Sequence, residues 1–211
     1  MTKSKIKILE SDLQIQNKIN IEISKHINSK IKKNKNRAIS KLRRSVDTWI
    51  RSQPEVKSLL KERVSGELNA QFGLRPGSAD SAVDQIVSSI VDSIQISVLT
   101  VDKKLRGSVE FKFQSRTFTN LLGLTSGFSI TEKGQSLHWL DWLLNRGDSV
   151  IVIGYKYQPS NQGRSGGGKM VVGDSFRVPP NYSGTNDNNF ITRAFSGRNT
   201  ELSNIISGML K

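Results

Sequence analysis

The chain has 211 residues, of which 35% are hydrophobic, and its formal net charge at pH 7 is +14. Its length suits one domain with a hydrophobic core, and the absence of cysteine excludes disulfides and thiolate metal sites. The longest wholly apolar run, residues 150–153, is too short to span a bilayer, and the Lys-rich N-terminus lacks the apolar segment of a signal peptide, so we expect no membrane contact.

Isoleucine recurs every fourth residue near the N-terminus, at Ile15, Ile19, Ile23, Ile27 and Ile31. On a helix capped by Ser11 or Asp12, this spacing gives a narrow apolar stripe that drifts around the axis. The alternation over residues 19–23 would also suit a strand. The stripe is too thin for a core helix, so we expect residues 1–35 to form an extended helical assembly arm that packs along another chain.

Positive charge is concentrated in the same part of the chain. Residues 1–63 hold 17 Lys and Arg against 6 Asp and Glu, whereas residues 64–211 hold 15 against 12. Such a basic segment is typical of proteins that meet nucleic acid or an acidic protein surface, and Lys32, Lys33 and Lys35 are candidate contacts. The alternative is a solvated helix face. The segment also lacks the interleaved aromatic residues that single-strand binders use for stacking.

The middle of the chain changes from helical to strand spacing. Apolar residues at helical spacing predict helices over residues 38–50, 56–68 and 82–90, with Pro54 and a loop at residues 73–78 between them. Alternation then predicts a β-hairpin from residues 94–98 and 109–113. Its tip carries Lys103, Lys104 and Arg106, which we expect to face DNA or an acidic partner.

The second half is predicted to alternate short helices with strands. We expect a helical turn before Gly123, an apolar helix over residues 137–144, strands over residues 150–157 and 176–178, and an amphipathic C-terminal helix capped by Thr200. Between those strands, the Gly-rich residues 158–173 should form a flexible loop. This order predicts an α+β domain over residues 36–211, with a small antiparallel β-sheet packed with helices behind the N-terminal arm.

The chain carries little that indicates catalysis. Residues 163–169 match the spacing of a phosphate-binding loop up to Lys169, but Met170 replaces the hydroxyl residue and no helix follows. The two histidines, His26 and His138, lie in no pattern of metal ligands, and no Gly-x-Ser-x-Gly motif is present. We therefore expect no enzymatic activity, no cofactor and no metal.

Tyrosines and cations surround the Gly-rich segment. Tyrosines beside mobile loops are common at protein interfaces, so the candidate contacts with a neighbouring subunit are Tyr155, Tyr157, Arg164, Lys169 and Tyr182. The alternative is that the tyrosines are ordinary half-buried residues of strands and turns.

One stretch near the C-terminus supports a resemblance to a known family. It runs Phe176-Arg177-Val178-Pro179-Pro180-Asn181-Tyr182-Ser183-Gly184-Thr185, then Asn189-Phe190-Ile191-Thr192-Arg193-Ala194-Phe195 and an amphipathic helix. With the helix-first order and the hairpin over residues 94–113, it resembles the neck, or head-to-tail joining, proteins of tailed bacteriophages, a group that includes tail-completion proteins. The resemblance covers residues 35–211.

That resemblance implies a function in the virion. Proteins of this family have no catalytic residues, and they form rings in the neck between the portal-side adaptor and the tail, with genomic DNA passing through the lumen. It implies a six- or twelve-fold homo-oligomer, assembled in the host cytoplasm, that contacts portal, adaptor and tail proteins. A basic nucleic-acid-binding protein is the alternative, and a nucleotide-dependent enzyme is disfavoured by Met170.

Overall fold

The computed structural model describes residues 9–113, 117–131 and 134–211. It is about 49% helical with 19% strand in small antiparallel sheets, which confirms the predicted α+β class. Its helices are α1 (Asp12–Arg51), α2 (Pro54–Leu60), α3 (Leu68–Gln71), α4 (Ser78–Asp92), α5 (Thr119–Leu122), α6 (Trp139–Leu144), α7 (Phe190–Phe195) and α8 (Asn199–Leu210). Its strands pair in three two-stranded sheets and are β1 (Gln95–Leu99), β2 (Ser108–Lys112), β3 (Ser129–Ile130), β4 (Ser136–Leu137), β5 (Val150–Pro159) and β6 (Gly168–Arg177).

The chain forms two compact units. Among the described residues, unit 1 contains residues 9–42 with most of α1, Gln95–Lys112 with the β1–β2 hairpin, and Asn199–Lys211 with α8. Unit 2 contains Arg43–Ile94 and Phe113–Arg198. Since α1 is one helix of 40 residues, it continues through residue 35, where the arm was predicted to end.

The start of α1 follows from local sequence. The Ser11 amide donates to Gln14 Oε1 at 2.9 Å and the Gln14 amide donates to Ser11 Oγ at 3.4 Å, which is a reciprocal capping box. Of the two predicted capping residues, Ser11 is therefore the one that caps α1. Residues 19–23 lie within this helix and do not form the alternative strand.

The predicted isoleucine stripe is buried only at its C-terminal end. Ile31 is 6% exposed, whereas Ile19 and Ile23 are 53% and 41% exposed. A helix turns about 100° per residue, so a repeat of four residues rotates by about 40° at each step. The earlier isoleucines have consequently rotated off the buried face, which Ser24, Ile31, Ala38 and Leu42 define.

Unit 1 combines the first part of α1 with the hairpin and α8. Within the hairpin, β1 pairs with β2 so that Ile96 is opposite Phe111 and Val98 is opposite Val109. Farther along α1, Asn34 Nδ2 donates to the Met209 carbonyl at 3.2 Å, and Met209 is fully buried on α8.

Unit 2 has an aromatic core. The rings of Phe72 and Trp139 stack with centroids 5.6 Å apart, and Trp49 meets the edge of Phe195 at 6.0 Å. The predicted helix over residues 56–68 is broken into α2 and α3, because Arg63 and Gly66 adopt positive φ values of 60° and 85°. Val64, an apolar residue within the range of that predicted helix, is consequently exposed in this turn.

The Gly-rich segment differs most from its prediction. Strands β5 and β6 remain paired as far as Pro159 and Gly168, so residues 168–173 belong to a strand and the turn shortens to residues 160–167. That turn packs on its own unit, where Arg164 Nε donates to the Gly73 carbonyl at 2.6 Å and Ser165 is buried. A Cβ on Gly167 would lie 2.6 Å from Ala70 Cβ. The glycines therefore permit close packing, and the expectation of a long unpaired loop was wrong.

The segment that carries the family resemblance is held within unit 2 by hydrogen bonds. Asn189 is fully buried and forms a capping box with Thr192 at the start of α7. Its Nδ2 also donates to the Thr185 carbonyl at 2.9 Å, and the Gly147 amide donates to the Gly184 carbonyl at 2.8 Å. These contacts fold the Pro-rich turn back onto α6.

Candidate polyanion-binding and assembly surface

Positive charge is unequally divided between the units. Among the described residues, unit 1 holds 13 Lys and Arg against 6 Asp and Glu, a net charge of +7. The larger unit 2 holds 14 against 11, a net charge of +3. Because the smaller unit has more than twice the net charge, unit 1 is the part of the chain with the stronger attraction for anions.

One face of α1 collects several of these cations. Lys30, Lys33, Arg37 and Lys41 follow one another at intervals of three or four residues, so they project from the same side of the helix over about 16 Å. Lys33, Arg37 and Lys41 are exposed, and Lys30 Nζ lies 3.3 Å from the carbonyl of Lys211. We call this face the basic stripe.

The predicted lysines of α1 separate in the structure. Lys33 lies on the basic stripe, whereas Lys32 is rotated about 100° from Lys33 and half-buried Lys35 lies nearer the buried face. Within the described residues, no ion pair engages any of the three, while Lys18 and Lys25 pair with Glu10 and Glu22. The lysines of this segment thus remain available to an external anion.

The β1–β2 turn presents a second set of cations, as predicted from its sequence. The backbone amides of Lys104 and Arg106 donate to Asp102 Oδ1 at 2.8 Å and 3.0 Å. Of the two, the Arg106 amide has the larger effect in holding the pKa of Asp102 below its ordinary value. The ionised carboxylate thus organises the turn, and the side chains of Lys103, Lys104 and Arg106 are all exposed.

A pair of hydrogen bonds fixes this turn beside α1. The amide of Val101 donates to Asn28 Oδ1 at 2.8 Å, and Asn28 Nδ2 donates to the Val101 carbonyl at 2.9 Å. The basic turn begins at the next residue, so the structure places it beside the central turns of α1. Sequence reasoning found both groups of cations but not the asparagine that joins them.

Two of the five candidates for contact with a neighbouring subunit are engaged within their own unit. Tyr157 Oη accepts from the Gly66 amide at 3.0 Å and donates to the Gly167 carbonyl at 2.7 Å, and Arg164 is bound to Gly73. Tyr155 and Tyr182 are half-buried, and exposed Lys169 donates to Gln162 at 2.8 Å. Tyr157 and Arg164 thus serve their own chain.

The β5–β6 pair, which we call the ribbon, exposes apolar side chains that sequence reasoning missed. Ile153 and Val172 are 81% and 82% exposed, and Met170 is exposed beside them. Val172 is opposite Tyr155 and Met170 is opposite Tyr157, so these two side chains lie on one side of the ribbon. Ile153 lies beyond the irregularity in register between Ile153 and Tyr155. Alternation within β5 was visible, but the register with β6 was needed to reveal this surface.

The two histidines occupy different environments. His26 is exposed on α1, whereas the half-buried ring of His138 stacks on Phe128 with centroids 3.9 Å apart. Burial lowers the pKa of His138, although the nearby carboxylate of Asp141 acts in the opposite direction. Within the described residues, no group of three or more His, Asp or Glu side chains could hold a metal ion.

The helices of the described chain include none that is both long and apolar enough to cross a bilayer. Comparisons with protein-family models, with curated proteins and with solved structures find no match to this chain.

Proposed function

We propose that this chain is a structural virion protein of a tailed bacteriophage, which forms a homo-oligomeric ring in the neck and joins the DNA-filled head to the tail. The observation that carries the proposal is the collection of exposed cations on unit 1. The resemblance of residues 176–195 to neck proteins supplies the assembly in which those cations act.

The cations of the basic stripe and of the β1–β2 turn are suited to contact with a DNA duplex that slides through the ring. Lys and Arg attract phosphates by charge alone, which positions a duplex without reading its sequence. Such contacts are exchanged easily along the backbone, because each phosphate resembles the next. A ring would surround the duplex with many copies of this surface, so weak contacts of each subunit would suffice.

An isolated nucleic-acid-binding protein is the second candidate function, favoured by the same cations. The two functions differ in what the purified chain does without DNA. A neck protein assembles by itself and binds DNA weakly as a monomer, whereas a DNA-binding protein remains monomeric and binds duplexes with a steep salt dependence.

Mass photometry of the full-length chain distinguishes the two functions. The protein is measured over a concentration series, alone and with a short duplex, between about 50 and 200 mM salt. Closed particles of uniform mass that form without DNA support the neck function. The second function would be supported, and the neck function contradicted, by a chain that stays monomeric at every concentration and whose affinity for the duplex falls about 10³-fold or more across this salt range.

A further inference from the structure

Small polar residues follow one another along the exposed face of α1 in unit 1. Ser29, Asn36 and Ser40 are exposed, and at about 100° per residue they lie within about 40° of one another. They occupy the side of the helix opposite the buried residues Ile31 and Leu42. We call these three residues the polar ridge, and because their side chains are short, the helix backbone can approach a partner closely there.

Cations border the polar ridge on both sides. The basic stripe lies roughly 90° around the helix from the ridge in one direction. In the other direction, also by roughly 90°, lies Asn28, whose two hydrogen bonds with Val101 hold the β1–β2 turn. Exposed Lys32 lies on this second side. The polar ridge therefore runs between the basic stripe and a second group of cations, which consists of the β1–β2 turn and Lys32.

The part of α1 that carries the ridge contains no carboxylate. Between Glu22 and Asp47 the chain has nine Lys and Arg and no Asp or Glu. Lys25 pairs with Glu22, but within the described residues no ion pair engages Lys32 or the cations of the basic stripe. A helix face that is merely solvated commonly mixes both signs of charge, whereas a face of one sign attracts a partner of the opposite sign.

The dimensions of this face match the major groove of B-form DNA. A helix with its side chains is about 10–12 Å across, and the major groove is about 12 Å wide and admits a helix. In that position the polar ridge faces the base edges, and the cations on its two sides reach the two phosphate backbones that border the groove. Serine can contact any base pair, so docking through Ser29 and Ser40 needs no particular sequence.

We propose that α1 docks in the major groove of duplex DNA, with the basic stripe on one phosphate backbone and the β1–β2 turn with Lys32 on the other. The inference rests on the proposed function for DNA as the partner, and it deepens that function by assigning the groove and the cations that meet each strand. An acidic protein surface would be attracted by the same cations but offers no groove to the polar ridge.

An RNA duplex of the same sequence distinguishes groove docking from attraction by charge alone. A-form RNA carries one phosphate per nucleotide as DNA does, but its major groove is deep and too narrow for side chains to read. In fluorescence anisotropy, the full-length chain should bind a short DNA duplex roughly 10-fold more tightly than the RNA duplex. Equal affinities would overturn groove docking, and tighter binding of poly-L-glutamate than of DNA would replace DNA by an acidic protein partner.

Substitutions on each side of the ridge test for contact with both backbones. The variant Lys33→Gln/Arg37→Gln removes two cations of the basic stripe, and Lys32→Gln/Lys104→Gln removes two cations from the other side. Glutamine keeps a helix-forming residue at the positions in α1. Each variant should reduce the dependence of log K on log salt by up to about 2, since each cation can neutralise one phosphate.

The control is Lys57→Gln/Arg75→Gln, which removes two exposed cations of unit 2 and should alter the salt dependence much less. Circular dichroism confirms that each variant is folded. If either folded variant of unit 1 keeps the salt dependence of the wild type, only one backbone is contacted and groove docking is wrong. Ring assembly is measured without DNA, so rings that fail these tests leave the neck function standing. A monomer that passes them keeps groove docking and supports the second candidate function.

Discussion

Asn28 on α1 and Val101 after β1 exchange two hydrogen bonds, of 2.8 Å and 2.9 Å, across 73 positions of sequence. The asparagine amide satisfies both backbone groups of Val101, as a neighbouring strand would. This single side chain holds the basic turn beside the cations of α1, so it joins two groups of positive charge that are distant in sequence.

The substitution Asn28→Ala should therefore increase the mobility of the β1–β2 turn while it lowers the stability of the whole protein only modestly. Loss of two part-buried hydrogen bonds should lower the free energy of unfolding by about 1–2 kcal/mol, and amide exchange over residues 100–107 should accelerate. Asn36→Ala, at an exposed position of the same helix, is the matched control. Equal exchange in the two variants would show that Asn28 does not hold the turn.

The cations of the β1–β2 turn should contribute to DNA binding without contributing to stability. Replacing Lys103, Lys104 and Arg106 by Ser should change the free energy of unfolding by no more than about 0.5 kcal/mol, because all three are exposed. The same variant should reduce the dependence of log K on log salt by up to about 3, since each cation can neutralise one phosphate.

Three exposed cations of unit 2, Lys57, Arg63 and Arg75, provide a control that changes the net charge equally. Replacing these by Ser should alter the salt dependence much less than the turn variant does. If the two triple variants lose DNA affinity equally, net charge alone accounts for binding and the turn has no special role.

Parts of the fold were predictable because local spacing determines them. The alternation of Ile96 and Val98 with polar residues predicted the hairpin, and therefore also predicted that the cations between its strands lie at its tip. The turn at Arg63 and Gly66 was missed, because apolar residues happened to continue the helical spacing through it. Glycine content predicted a flexible loop over residues 158–173, but composition cannot distinguish a glycine that moves from one that permits close packing.

Gly184 is a position where close packing excludes any side chain. A Cβ there would lie 1.8 Å from the carbonyl oxygen of Leu143, so Gly184→Ala should displace the turn from α6 and lower the free energy of unfolding by about 3 kcal/mol, measured by urea denaturation. Gly208→Ala is the control, since nothing lies within 4 Å of the added carbon in α8. That change should stabilise the protein by about 0.5–1 kcal/mol. Equal effects of the two would refute the packing argument.

Asp141 should make stability depend on acid pH. Burial by itself raises the pKa of Asp141, but hydrogen bonds from Arg146 at 2.6 Å and Asn145 at 3.0 Å outweigh it and hold that pKa below its ordinary value. The folded state therefore favours the ionised form. The ionised Asp141 therefore contributes to the free energy of unfolding. This contribution is complete above the pKa of Asp141 in the unfolded state, about 3.9, and is lost as the pH falls through its lower pKa in the folded state.

Arg146→Gln tests this dependence, because it removes the charged donor and should let the pKa of Asp141 rise. The stability advantage of the wild type over the variant should be greatest at neutral pH and should shrink below about pH 4. Urea denaturation from neutral to acid pH measures it. An advantage that is constant across this range would show that Arg146 acts through packing on Trp142, over which its guanidinium lies at 5.9 Å.

The candidate surfaces were predictable to different extents for a physical reason. Cations such as Lys33 and Lys104 stand close together in the sequence, so composition alone indicated an anion-binding surface. The exposed apolar side chains of the ribbon were not predictable as a group, because Met170 and Val172 are placed on one side only by their register with Tyr157 and Tyr155. Likewise, the exposure of Ile19 required the direction of the buried face of α1.

A reconstruction by electron cryomicroscopy of the particles formed by the purified full-length chain tests the central claim most directly. The account predicts a closed ring with a central channel lined by the basic stripe at Lys33 and Arg37 and by the β1–β2 turn at Lys104. Particles without a channel, or a ring that carries these cations on its outer surface, would contradict it.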